Sequence, residues 1–191
     1  MHRTAFSVLR TVTLAVALGL TGATTASAAR TGGVTLGDPV APKSATQPTV
    51  DGTVAKLLDD GTAAAPLGAP LEVQQAIWAA NKLIGKPYRY GGGHARFNDT
   101  GYDCSGTVSF ALKGAKLLKS PLDSSSFMKW GVAGEGEWIT VYTNPGHAFV
   151  VIAGLRLDTS ATGDPSGNKG PRWRPTLRVT KGFKARHPDG Y

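Results

Sequence analysis

The sequence predicts an α+β fold in which N-terminal helices pack on an antiparallel β-sheet, and three observations predict it. Apolar residues recur at helical spacing from Val73 to Ile84 and again from Cys104 to Ala115. After Ser124-Ser125-Ser126 the period changes to two, and the turn signal Asn144-Pro145-Gly146 separates two apolar runs. Helices first and hairpin-linked strands afterwards define an α+β order.

The first 29 residues read as a signal peptide. His2, Arg3 and Arg10 precede the apolar stretch Val12 to Leu20, and the small residues Ala26-Ser27-Ala28-Ala29 offer a cleavage site. That stretch is about half of the roughly 20 residues needed to cross a bilayer, so a secreted protein without stable membrane insertion is expected. Residues 30–70 are dominated by Ala, Thr, Gly, Pro and Asp, with few large apolar side chains, and are expected to form a flexible linker. A short docking strand around Val50 to Leu58 is the alternative. Residues 71–191 remain for one domain of ordinary size.

Within that domain, Pro70 opens a first helix that Gly85 and Pro87 end. Tyr88-Arg89-Tyr90-Gly91-Gly92-Gly93-His94 is a loop, and without a following Gly-Lys-Ser/Thr it is no phosphate cradle. A second helix begins at Cys104 with Asp103 as its N-cap. Trp138 to Tyr142 and His147 to Ile152 are strands, Leu155 to Thr159 is a third, and a fourth is expected near Thr176 to Val179.

Charge narrows the partners but not the chemistry. Lys and Arg number 21 against 13 Asp and Glu, a formal charge of +8. This balance suits anionic cell-wall polymers or lipid head groups, or simply keeps the surface soluble. The chain has no aromatic-rich basic motif of a nucleic-acid module. A single Cys and scattered His residues give no zinc spacing, and no metal or other cofactor is expected.

Cys104 is the sole cysteine, so an internal disulfide is impossible. Its sulfur is an inert core atom, an intermolecular bridge or a reactive group. A first-turn position favours the last, because unpaired N–H groups and the helix dipole stabilise an anion there. His94, His147 and His187 are the candidate bases. His147 is favoured because it opens a strand directly after a turn, whereas His94 reads as a loop residue bonded to the backbone and His187 as surface. If Ala153-Gly154 makes a two-residue hairpin loop, His147 lies opposite Ser160, with Asp158 diagonally across on the same face. Asp158 can then orient the imidazole, with Ser160 as the fallback.

Gly-Lys-Pro-Tyr-Arg-Tyr-Gly-Gly, then Asp-Cys-Ser-Gly, then a Gly-His opening an apolar strand resemble the NlpC-type cell-wall cysteine peptidases over about residues 73–160. The resemblance implies a papain-like core and an enzyme that hydrolyses amide bonds in peptidoglycan stem peptides, commonly between D-glutamate and diaminopimelate. It implies Cys104 as nucleophile and His147 as base. The family's third polar residue, usually His, Asn or Gln, would fall on Asp158 if this hairpin is one residue shorter. It further implies a substrate-binding wall made by Tyr88, Asp103 and Ser105. For Asp103 and Ser105, helix capping is an equally good explanation. An N-acetylmuramoyl-L-alanine amidase and a catalytically silent wall-binding module are the competing readings. Gly136-Glu137-Trp138-Ile139 replaces the family's usual Pro-Gly-Asp strand entry, and residues 161–191 have no counterpart in the resemblance.

Overall fold

The computed structural model describes residues 47–191. The expected signal peptide at 1–29, and the linker as far as residue 46, lie outside the described residues. The linker expectation fails for residues 47–70. Strand β1 (Thr49–Val50) pairs in parallel with β3 (Ala63–Pro66), and β2 (Lys56–Leu57) pairs with β3 from the other side.

Low content of large apolar residues misleads here because alanine supplies the packing. Ala63, Ala64 and Ala65 are buried, and their methyl groups let β3 lie close to helix α1 (Leu71–Asn81). Asn81 extends from that helix to accept from the Ala63 N–H at 2.8 Å and donate to the Ala63 carbonyl at 2.9 Å, replacing a strand partner. Trp78 Nε1 donates to the Pro48 carbonyl at 3.0 Å, and the Ala55 N–H donates to Ala153 at 2.8 Å. Backbone groups that a solvated linker would leave to water are thus paired within the domain.

Helix α1 buries Val73, Ala76, Ile77 and Ala80, the stripe that its spacing predicts. It packs on α2 (Cys104–Gly114), which buries Val108, Ala111 and Leu112. A Cβ on Gly114 would come 2.1 Å from that of Ala79, so a small residue lets the two helices approach. A short helix α3 (Ser124–Phe127) follows, capped by Asp123, whose carboxylate accepts from the Ser126 N–H at 2.7 Å.

The larger sheet contains β4 (Val132–Ala133), β5 (Ile139–Asn144), β6 (His147–Ile152), β7 (Leu155–Asp158), β8 (Arg172–Arg174) and β9 (Lys184–His187). All its pairings are antiparallel, in the order β4-β9-β5-β6-β7-β8. Ala148, Val150, Ile152, Leu157 and Trp173 join the helix side chains in the core. His147 and Phe149 alternate with them and take the opposite side of β6.

Thr176 to Val179 is not a strand. Pro175 follows β8 and has no N–H for a ladder, and Leu177 and Val179 are exposed while Arg178 turns inward. Strands instead lie on either side, at β8 and β9. His187, expected on the surface, is half-buried on β9 opposite Val132.

Candidate active site

Asp103 starts α2. Its Oδ1 accepts from the Gly106 N–H at 2.8 Å, and its backbone N–H donates to the Gly92 carbonyl at 3.2 Å. Oδ2 accepts from the Gly91 N–H at 3.0 Å. One carboxylate therefore caps the helix and clamps the glycine loop to it. The fit is tight enough to require Gly106, since a Cβ there would sit 2.0 Å from the Gly92 carbonyl oxygen. Gly106→Ala is expected to cost ~1–3 kcal/mol, because overpacking against backbone cannot be relieved by a rotamer change. Urea unfolding checks the stability, and the rate of Cys104 alkylation checks whether the first turn of α2 has moved. Wild-type values for both would refute this account of the clamp.

Cys104 is the first residue of α2 and is half-buried. Facing it, the β5–β6 hairpin ends at Asn144, whose Oδ1 accepts from the N–H groups of Gly146 and His147, both at 2.9 Å. This Asx turn fixes the first residue of β6. α3 braces the same hairpin through Ser124 Oγ, which donates to the Pro145 carbonyl at 3.1 Å.

The β6–β7 connection is Ala153-Gly154, both with positive φ as a tight two-residue turn needs. Val150 pairs with Leu157, and continuing that register puts residue 160 opposite His147 and Asp158 on the His147 face. His147 Nε2 donates to Asp158 Oδ1 at 2.9 Å. The same oxygen accepts from the Ser160 backbone N–H at 2.8 Å, while the Ser160 hydroxyl lies 2.9 Å from Thr162 Oγ1. Ser160 thus touches Asp158 through its backbone, and its side chain turns elsewhere. With Nε2 committed, Nδ1 is the ring nitrogen left for Cys104.

The ionisation of these groups follows from their neighbours. Burial alone would raise the Cys104 thiol pKa, but the adjoining His147 ring and Ala148 N–H reverse this and hold it below the ordinary thiol value. Burial would likewise lower the His147 pKa, yet the hydrogen bond to Asp158 and the adjoining Cys104 sulfur push it up to about 9. Burial opposes ionisation of Asp158 too, and His147, the Ser160 N–H and Arg178 overcome it and keep its pKa below the usual carboxylate range. The combined tendency is a thiolate–imidazolium pair backed by a carboxylate.

A cavity of about 470 Å³ opens in front of Cys104, lined among others by Tyr88, Tyr90, His94, Asp103, Ser105 and Asp123. Tyr88 is half exposed, and burial, then the negative charges of Cys104 and Asp103, raises its pKa. Asp103 and Ser105 are almost wholly buried. His94 differs from expectation: its Nε2 lies 3.0 Å from both Asp103 Oδ1 and Ser105 Oγ, so it meets side chains in the cavity rather than backbone.

Sequence reasoning also missed Arg178, Phe149 and Phe183. Arg178 Nη1 donates to Asp158 Oδ2 at 3.0 Å. Phe183 meets His147 edge-on with centroids 6.3 Å apart, and Phe149 lies 6.3 Å from the same ring at 29°. Apolar Phe149 was readable as a strand residue, but no spacing rule links Arg178 or Phe183 to the site.

Fold and geometry together define a mixed helix-and-sheet protein with a thiol at the start of α2, an imidazole at the start of β6 and a carboxylate at the end of β7. No family model and no curated protein matches the chain. Among solved structures it is similar to the peptidoglycan hydrolase RipB from Mycobacterium tuberculosis, with 21% identity, a TM-score of 0.45, and coverage of 63% of this chain and 73% of that chain.

Proposed function

We propose that this chain is an exported cysteine hydrolase that cleaves amide bonds in peptidoglycan stem peptides, of the D-glutamyl–diaminopimelate endopeptidase type. The observation that carries the reaction class is the alignment of Cys104, His147 and Asp158. The substrate class rests on the motif resemblance of residues 73–160, and the charge of +8 suits the anionic wall in which such a substrate lies.

In the proposed reaction the Cys104 thiolate attacks the scissile carbonyl carbon, forming the C–S bond and pushing the π electrons onto oxygen. The Cys104 backbone N–H, which has no intrahelical acceptor at the start of α2, donates to that oxyanion. His147 imidazolium gives its proton to the amide nitrogen as the C–N bond breaks, and the amine leaves. Water then attacks the thioester while His147 takes its proton. Collapse expels the thiolate and restores the starting pair. Asp158 holds the ring tautomer and the positive charge throughout. Tyr88, Asp103 and Ser105 form the wall that would meet the stem peptide beside the scissile bond. Both Asp103 oxygens are already bonded within the chain, so this carboxylate would shape that wall more than bond the substrate directly.

Mass spectrometry of purified peptidoglycan after digestion tests the reading. Newly freed amines on diaminopimelate are expected, with the glycan-linked dipeptide left behind. Intact stem peptides released from muramic acid would instead identify the amidase, and no new ends of either kind would overturn hydrolysis.

A further inference from the structure

Asp158 has two carboxylate oxygens with different duties. Oδ1 serves His147 and the Ser160 N–H, and Oδ2 faces arginines. Arg178 Nη1 is 3.0 Å from Oδ2, whereas Arg156 Nε is 3.9 Å away, beyond hydrogen-bond range. The other neighbouring guanidinium is tied elsewhere. Arg174 donates to the Asp158 backbone carbonyl, to Asp164 and to the carbonyls of Asn168 and Gly170. Among the described residues, Arg178 is therefore the one cationic side chain besides His147 within hydrogen-bond reach of this carboxylate.

Arg178 is itself held. Its guanidinium carbon lies 5.2 Å from the Phe149 ring centroid and 5.3 Å from that of Phe183, and only 15% of its side chain is exposed. Those two rings meet edge-to-face at 5.2 Å and are the same rings that flank His147. A planar cation stacked this way gives Oδ2 a fixed partner, which a flexible ammonium would not.

We propose that Arg178, on the connection between β8 and β9, is a positioning residue that fixes the Asp158 carboxylate behind His147 and limits how strongly it draws the imidazole proton. This rests on reading Cys104, His147 and Asp158 as the reacting site. Asp158 is the sole carboxylate in hydrogen-bond contact with the imidazole among the described residues, and an unshared buried carboxylate would bind the ring proton tightly. A ring that holds its proton too well is a poor acid for the departing amine. Sharing the charge with Arg178 keeps the ring oriented but able to release its proton. Arg156 lies on β7 with Asp158 itself, Arg174 lies on the neighbouring β8, Asp164 lies in the loop after β7, and Cys104 and Asp103 lie on the α2 side. These are the other charged groups that face the pair.

The test compares Arg178→Gln and Arg178→Lys in the full-length protein by two readouts. One is hydrolysis of purified peptidoglycan against pH. The other is the rate of iodoacetamide alkylation of Cys104 against pH, which needs no substrate. In Arg178→Gln, loss of a nearby positive charge raises the proton affinity of thiol and imidazole together. Both profiles should move up by ~0.5–1 pH unit and kcat should fall ~10–100-fold, with KM little changed. Arg178→Lys should keep the midpoints of wild type and recover only part of kcat. Equal loss at every pH with unmoved midpoints would make Arg178 merely structural and overturn the proposal. If Arg178→Gln does not fold, the lysine variant decides alone: shifted midpoints, or full wild-type kcat, overturn it. Failure of the hydrolase reading looks different, because the wild type would then release no amines whatever the alkylation profiles of the variants show.

Discussion

Cys104→Ala is expected to reduce amine release from purified peptidoglycan by at least ~10³-fold, since loss of a covalent nucleophile leaves only binding and oxyanion stabilisation. The structure isolates this change well. Cys104 is half-buried, its backbone N–H and the Asp103 cap do not depend on the sulfur, and alanine suits a first helical turn. The variant should therefore fold with a melting temperature close to that of wild type. That separates lost chemistry from lost structure, as does retained binding to insoluble walls. Unchanged hydrolysis would remove covalent catalysis from consideration. Absence of hydrolysis in both proteins, with equal wall binding, would favour a silent binding module.

What the sequence displayed of this site depended on how local each determinant is. The start of α2 was legible because Asp103, Cys104 and the apolar positions Val108, Ala111 and Leu112 lie within three helical turns. The hairpins were legible for the same reason, since Asn144-Pro145-Gly146 and Ala153-Gly154 carry their own turn chemistry and fix the register that places Asp158 near His147. The N-terminal strands were hidden because Ala63, Ala64 and Ala65 pack by close approach and not by bulk, and because Asn81 completes β3 from another element. The C-terminal segment was hidden for a different reason. Leu177 and Val179 suggest an alternating strand, but an ion pair to Asp158 turns Arg178 inward and leaves both apolar residues exposed. Nothing near Arg178 in sequence announces a partner at the end of β7. His94 follows the same logic: a glycine loop allows many paths, and only its clamp to Asp103 decides where the ring goes.

Asp158→Asn should be the most informative change at the site, because it preserves shape and removes one charge. The carbonyl of asparagine can still accept from His147 and Ser160, but its amide then points N–H groups at Arg178, and Arg156 and Arg178 lose their counter-charge. Breaking a buried pair in this way costs ~3–5 kcal/mol, measurable by urea unfolding. The pH dependence carries a definite sign. Asp158 has a depressed pKa in the folded protein, so its stabilisation is present above the ordinary carboxylate value and is lost as pH falls through the folded value. Wild type should lose stability on that acid side, and the variant should show a flatter acid limb. At the reacting groups, His147 loses the first of the interactions that hold its pKa near 9 against burial. Its basicity should drop toward or below the ordinary imidazole value, and the Cys104 thiol should move back up. Alkylation of Cys104 should consequently require higher pH, and hydrolysis should fall by up to ~10⁴-fold, the loss a triad suffers when its orienting carboxylate is neutralised. Arg178→Gln is expected to shift the same midpoints upward for both groups, whereas Asp158→Asn moves imidazole and thiol in opposite directions. If Asp158→Asn leaves hydrolysis and the alkylation profile as in wild type, Asp158 is a structural partner of the arginines and does not serve His147 in the reaction.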